Sequence, residues 1–226
     1  MSKFIFWDLD GTVVESEEVE FKTEMFGYAC NTLGLYFNLR PEEFTGHEAG
    51  SIFDLILDRN KVVNKEFYYS RYDDWYEQAI IFIKSNVSMV LSRENVVKLW
   101  KKANSENIKN VIVTSSREDV AKVYLENVGL SHLCFHYTCI NHVSKPKPSP
   151  IPYLQTVKQL NLKASNCIVI EDSISGIHSA KSAGLYTIAW VKDKSINDYL
   201  VADRVLKHLD FSIIKESFEC AKKLNL

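Results

Sequence analysis

From about residue 88 onward, apolar stretches of strand length alternate with stretches of helical texture, and that alternation leaves few architectures open. Strand, crossing helix and strand in repetition build a parallel sheet with helices packed on its faces. Val96 to Ala103 reads as a helix, Asn110 to Thr114 as a strand, and Glu118 to Asn127 as a helix that Gly129 closes. Cys134 to Ile140 is a strand, Ile151 to Leu160 a helix, Cys167 to Glu171 a strand, and Ile177 to Ala183 a helix stopped by Gly184. Tyr186 to Val191 and Val201 to Leu206 supply two further strands, and Phe211 to Lys223 a terminal helix. The run Phe4 to Trp7, near the amino end, adds one more strand.

Between these parts the texture is different. Residues 15–87 lack strand signals and read as helices joined by loops, with Ser16 as the expected N-cap and Glu17, Glu18 and Glu20 over the first turns. This third of the chain holds 14 of the 27 aromatic residues, as a small helical module must when it fills a limited core with rings. The polar segment Lys84-Ser85-Asn86 marks the return. The expected organisation is an α/β, Rossmann-like parallel sheet core from residues 1–14 and 88–226, with a helical cap, 15–87, inserted after the first strand. Two chain crossings would let that module hinge as a lid.

Composition narrows the function classes. With 46% hydrophobic and 25% charged residues and a formal net charge of −2, the chain has no basic field to drive nucleic-acid binding. The longest later apolar run, Ala79 to Ile83, is too short to span a bilayer. The five cysteines, Cys30, Cys134, Cys139, Cys167 and Cys220, show no CxxC spacing and read as thiols in a reducing compartment. A cytoplasmic protein, monomeric or weakly dimeric, is expected.

The chemistry lies at the strand ends. The first apolar run stops at Asp8-Leu9-Asp10-Gly11-Thr12, the second strand at Thr114-Ser115-Ser116, and the fourth at Glu171-Asp172. A loop before the third crossing helix carries Lys145 and Lys147 on either side of Pro146, followed by Pro148. In a parallel sheet these carboxyl ends share one edge, so distant residues converge. A carboxylate can attack phosphorus, and Asp8 at the strand tip is best placed. Asp10, a second acid within reach, can protonate the leaving oxygen and later take a proton from water. Crowded carboxylates repel one another, and a hard divalent cation, Mg2+, relieves them. The Thr114 hydroxyl and the Ser115 amide can hold phosphoryl oxygens while Lys147 offsets their charge. Taken singly, Glu171-Asp172-Ser173 before a helix is an ordinary capping cluster, and Thr-Ser-Ser after a strand an ordinary turn. Two adjacent buried acids are different, because they are costly without a cation.

Together these segments resemble the haloacid dehalogenase superfamily of phosphohydrolases, in the branch with a helical cap after the first strand (β-phosphoglucomutase and phosphoglycolate phosphatase-like). Phe6-Trp7-Asp8-Leu9-Asp10-Gly11-Thr12 is similar to its first motif and Val111 to Ser116 to its second. Lys147 to Leu154 is similar to the third and Ile168 to Ile177 to the fourth, with a Lys147-to-Glu171 spacing that selects Lys147 over Lys145. The resemblance implies Asp8 as nucleophile and metal ligand, and Asp10 as acid/base with its backbone carbonyl on Mg2+. It further implies Thr114 on the phosphate, Lys147 as charge clamp, and Asp172 as metal ligand with Glu171 beside it.

The departures fall in the cap. Similar sugar phosphomutases carry a histidine where Glu20 stands and an arginine near Ala49, whereas Thr45-Gly46-His47-Glu48-Ala49-Gly50 contains no arginine. Hydrolysis is therefore expected over transfer, with His47 left as a weak candidate contact. The remaining histidines, His132, His136, His142, His178 and His208, have no metal-ligand spacing. The reading that results is a Mg2+-dependent phosphatase that takes a small phosphorylated metabolite through an aspartyl-phosphate. Its rivals are a sugar phosphomutase, a phospho-signalling receiver and a non-catalytic phospho-ligand-binding protein on the same scaffold. The receiver is disfavoured because no aspartate ends the strand Asn110 to Thr114.

Overall fold

The structure is a computed structural model that describes residues 2–44, 49–192 and 196–224. The chain divides into two compact units, Met1–Glu15 with Leu91–Leu226, and Ser16–Val90.

The first unit is built on one sheet. Its strands are Lys3–Trp7 (β1), Ile108–Val113 (β2), Cys134–Thr138 (β3), Cys167–Glu171 (β4), Tyr186–Trp190 (β5) and Arg204–Leu206 (β6). They lie in the order β3-β2-β1-β4-β5-β6, and every pairing is parallel. The helices Val96–Ser105, Glu118–Asn127, Ile151–Gln159, Ile174–Ser182 and Phe211–Leu224 accompany the strands. This is the α/β parallel sheet that the alternating texture requires.

β1 lies between β2 and β4 and is buried on both faces, so it reads as a continuous apolar run instead of an alternating one. Phe4 and Phe6 join Val111, Val113, Cys167, Val169, Tyr153 and Ala180 on one face. On the other, Trp7 meets Trp100 with ring centroids 5.8 Å apart. Asn110 is a polar residue buried within β2, and its side chain is satisfied there. Trp7 Nε1 donates to Asn110 Oδ1 at 3.0 Å, and Asn110 Nδ2 donates to the Trp100 carbonyl at 3.3 Å.

The second unit is helical over its described residues: Val19–Asn31, Pro41–Phe44, Ala49–Arg59, Lys65–Tyr69 and Tyr72–Asn86, with a short 3-10 turn at Val87–Met89. Its core is made of rings. Trp75 stacks on Phe26 with centroids 5.6 Å apart and meets Phe53 at 4.9 Å, while Phe44 and Phe37 close the cluster around Phe26.

Several boundaries differ from the sequence-based expectation. Ser16 is not an N-cap: the first helix begins at Val19, with Glu18 at its cap and no side-chain capping bond. Glu17, two residues before that helix, instead pairs with the buried Lys22. Lys84-Ser85-Asn86 is the last turn of a helix, where Asn86 Nδ2 donates to the Phe82 carbonyl at 2.9 Å. β2 starts earlier, at Ile108, because Asn107 takes a left-handed turn at φ 58°. β3 stops at Thr138, the helix after β4 begins at Ile174, and residues 201–203 form a turn before β6. Thr45, Gly46, His47 and Glu48 lie outside the described residues.

The Asn110 bridge yields a stability prediction. Asn110→Ala strands the Trp7 indole N–H in a dry site, which should lower unfolding free energy by about 1–3 kcal/mol, read from the urea midpoint at unchanged m-value.

Candidate active site

Asp8, Asp10, Thr114, Lys147, Glu171 and Asp172 all belong to the sheet-bearing unit. Strand order reverses direction at β1, whose neighbours β2 and β4 lie on opposite sides, so the carboxyl end of β1 is a topological switch point. Asp8 follows β1 directly, and its N–H donates to the Ile170 carbonyl at 3.0 Å, which extends the pairing with β4 by one residue. Phe4, Phe6 and Asp8 share one parity along the strand, as do Cys167, Val169 and Glu171 along β4. Both carboxylates accordingly emerge on the face that holds Tyr153.

Lys147 reaches that face from the loop before Ile151–Gln159. Its Nζ donates to Asp8 Oδ1 at 2.7 Å, to Glu171 Oε1 at 2.5 Å and to the Val113 carbonyl at 2.8 Å. All three donor directions of the ammonium are therefore used. Burial pulls the Lys147 pKa down, but the charges of Asp8 and Glu171 outweigh it and hold the ammonium above its ordinary value. Tyr153 Oη donates to Glu171 Oε1 at 2.7 Å, and Ser173 Oγ donates to Glu171 Oε2 at 3.2 Å. Burial, followed by the charge of Glu171, raises Tyr153 well above the usual phenol, so it remains a donor.

Asp172 sits over the turn after β1. Thr12 Oγ1 donates to Asp172 Oδ1 at 3.0 Å. Gly11 has φ +80°, and a Cβ there would lie 2.4 Å from Asp172 Oδ2, so only glycine permits this approach. Asp10 turns to the end of β2, where Ser116 Oγ donates to its Oδ2 at 2.6 Å and Thr114 Oγ1 lies at 3.5 Å. The Thr114 hydroxyl also accepts from the Ser116 N–H at 3.0 Å.

Among the described residues, Asp8, Glu171 and Asp172 each bring one carboxylate oxygen within 4.8 Å of the others. Burial first and the Glu171 charge second lift Asp8 well above the carboxylate range, against the pull of Lys147. Hard oxygen donors crowded in this way fit Mg2+ or a similar cation, whose charge would reverse that balance. Glu171 is the most encumbered of the three, since its oxygens accept from Lys147, Tyr153 and Ser173.

A profile of the haloacid dehalogenase-like hydrolase family matches residues 5–190. The chain belongs to this family. It is 23% identical over 184 residues to fructose-1-phosphate phosphatase YqaB of Escherichia coli, covering 80% of this chain and 92% of that protein. It is 24% identical over 189 residues to phosphoglycolate phosphatase of Aquifex aeolicus, covering 82% and 83%. The crystal structure of β-phosphoglucomutase from Clostridium difficile superposes with a TM-score of 0.76 at 21% identity, over 97% of this chain and 98% of that one, and shows a shared fold.

As a haloacid dehalogenase-like hydrolase the chain is an enzyme, and its sequence-nominated residues fall into two groups. Asp8, Lys147, Glu171 and Asp172 meet in one cluster. Asp10 and Thr114 meet beside it. Ser115 is exposed, and it is Ser116 whose hydroxyl reaches Asp10. Sequence reasoning assigned no role in the site to Ser116, Tyr153, Ser173 or Thr12. Ser173 was legible only as a cap, and it does cap: its Oγ accepts from the Gly176 N–H at 3.0 Å while donating to Glu171.

Gly176 offers a direct test of this packing. A Cβ there would lie 2.0 Å from Glu171 Oε1, on a carboxylate held from three sides. Helix propensity alone favours Gly→Ala by about 0.5–1 kcal/mol. Gly27→Ala, with open space around it, should gain that amount, whereas Gly176→Ala should lose about 1–3 kcal/mol through overpacking, both measured by chemical denaturation.

Proposed function

We propose that this protein is a Mg2+-dependent phosphatase that hydrolyses a small phosphomonoester, such as a sugar phosphate or phosphoglycolate, through an aspartyl-phosphate on Asp8. One observation carries the reading. A carboxylate at the switch point is gripped by a fully committed ammonium and stands with two further acids whose carboxylate oxygens lie within 4.8 Å.

In the proposed sequence, one oxygen of Asp8 attacks phosphorus in line with the ester oxygen, and the Lys147 ammonium offsets the negative charge that gathers on the phosphoryl oxygens. Asp10 gives a proton to the departing oxygen, with its carboxyl oriented by Ser116. It then takes a proton from water as that water attacks the phosphorus of the acyl phosphate and frees Asp8. Asp8, Asp172 and the backbone carbonyl of Asp10 would hold the cation, with Glu171 acting mainly through Lys147. Bound there, Mg2+ would neutralise phosphoryl oxygens and orient them for attack. Thr114 and the Ser115 amide remain the proposed phosphate contacts.

The helical unit is read as the family's cap and as the source of substrate choice, since the sheet-bearing unit supplies groups that recognise a phosphoryl group and little else. The arginine-free stretch Thr45 to Gly50 supports release of phosphate over its return to the substrate. The small phosphorylated substrates named for relatives support the same reading. A cytoplasmic, monomeric or weakly dimeric enzyme fits it, and among the described residues no helix is long and apolar enough to cross a membrane.

Purified protein with Mg2+, screened against phosphorylated sugars, phosphoglycolate and nucleotides, should release inorganic phosphate. Isomer formation from a sugar monophosphate primed with a bisphosphate would indicate a mutase instead. Asp8→Asn should abolish release, and Lys147→Met should slow it on the order of a hundredfold, about 3 kcal/mol of barrier. Mg2+ at a hundred times its dissociation constant should stabilise the fold by about 2.7 kcal/mol relative to EDTA. A melt that does not respond would remove the cation from the proposal.

A further inference from the structure

Arg93 takes no part in the steps above, yet it is 3% exposed and placed directly under the turn that follows β1. Its Nη1 donates to the Gly11 carbonyl at 2.9 Å and to the Trp190 carbonyl at 2.7 Å, and its guanidinium carbon lies 3.8 Å from the Trp190 ring centroid. Its backbone N–H donates to the Val13 carbonyl at 2.9 Å, so Arg93 holds the turn at two points. Burying a guanidinium is costly unless its partners compensate, and these partners are backbone carbonyls and a ring face. Burial pulls Arg93 below its ordinary pKa, and the charges of Asp172 and Glu15 oppose that pull.

What Arg93 holds bears directly on the acid cluster. Gly11 is the residue whose missing Cβ gives Asp172 its place, and the next residue, Thr12, donates to Asp172 Oδ1 at 3.0 Å. A turn that drifts by a few tenths of an ångström takes the Thr12 hydroxyl and the Gly11 backbone with it. Asp172 then loses the Thr12 hydroxyl and the Gly11 backbone it rests against.

We propose that Arg93 is a positioning residue that clamps the Gly11–Thr12 turn between β1 and β5, fixes Asp172 through that turn, and so sets the affinity of the acid cluster for a divalent cation. The inference rests on the proposed reading of Asp8 and Asp172 as cation ligands. Groups that orient metal ligands from behind typically govern affinity by 10- to 100-fold.

The test is a calorimetric Mg2+ titration of the wild type, Arg93→Lys and Arg93→Met, with turnover of p-nitrophenyl phosphate measured separately. The dissociation constant for Mg2+ should rise on the order of tenfold in both variants. In turnover, the Mg2+ concentration for half-maximal rate should shift in step, with KM for the ester unchanged at saturating Mg2+. Lysine keeps the charge but lacks the planar fork and the face that rests on Trp190, so Arg93→Lys decides the matter alone if Arg93→Met does not fold. A variant that melts at a lower temperature in EDTA but binds Mg2+ like the wild type would reduce Arg93 to a packing residue and overturn the inference. Wild type that binds Mg2+ but releases no phosphate would overturn the phosphatase reading alone, and wild type that does not bind Mg2+ would overturn both.

Discussion

A single ammonium organises the middle of this protein. Lys147 is buried among Asp8, Glu171 and the carbonyl that ends β2, and each of its hydrogens has a partner. An isolated charge in such a place would cost several kcal/mol, and an isolated carboxylate as much. Neither Asp8 nor Glu171 is tolerable at the sheet edge without Lys147, and Lys147 is not tolerable without them. Tyr153 and Ser173 complete the arrangement by occupying Glu171 from the remaining sides. Balance is nevertheless incomplete, because Asp172 adds a further negative charge beside Asp8. Excess negative charge on crowded hard oxygens fits the cation proposed for this site.

That arrangement depends on the parallel sheet. Only where the strand order turns back does a strand end face open space between its neighbours' ends, and β1 occupies that place. The side-chain period of two then carries Asp8 and Glu171 to the same face, toward the helix that carries Tyr153. Two glycines complete the fit by what they lack. A side chain at Gly11 would strike Asp172, and one at Gly176 would strike Glu171. Both acids at the end of β4 therefore pack against bare backbone, which lets their carboxylates come close.

The sheet, the helical unit and the central acids were all legible in the chain. Apolar runs of four to six residues that end in acid or hydroxyl can hardly be anything but buried parallel strands, and their ends must share an edge. The errors have physical causes. Ser16 carries the right chemistry for an N-cap, but Glu17 is drawn to Lys22 and the helix starts later. Lys84-Ser85-Asn86 is polar because it is the last turn of a helix. The Ser116 contact with Asp10 lay beyond any local pattern, because only the bend after Val113 turns that hydroxyl toward the carboxylate.

By itself the amino-acid sequence determined the family and the parallel α/β plan and nominated the groups proposed to react, because short-range patterns and motif spacing are written along the chain. Tertiary structure alone decided who holds those groups from afar: Tyr153 on Glu171, Ser116 on Asp10, and Arg93 beneath Gly11. Those contacts join residues as far apart as 82 and 106 positions, and no local pattern records them. A hydrogen bond across such a distance exists only once the sheet has brought the strand ends together, so its partners could be known only from the folded chain.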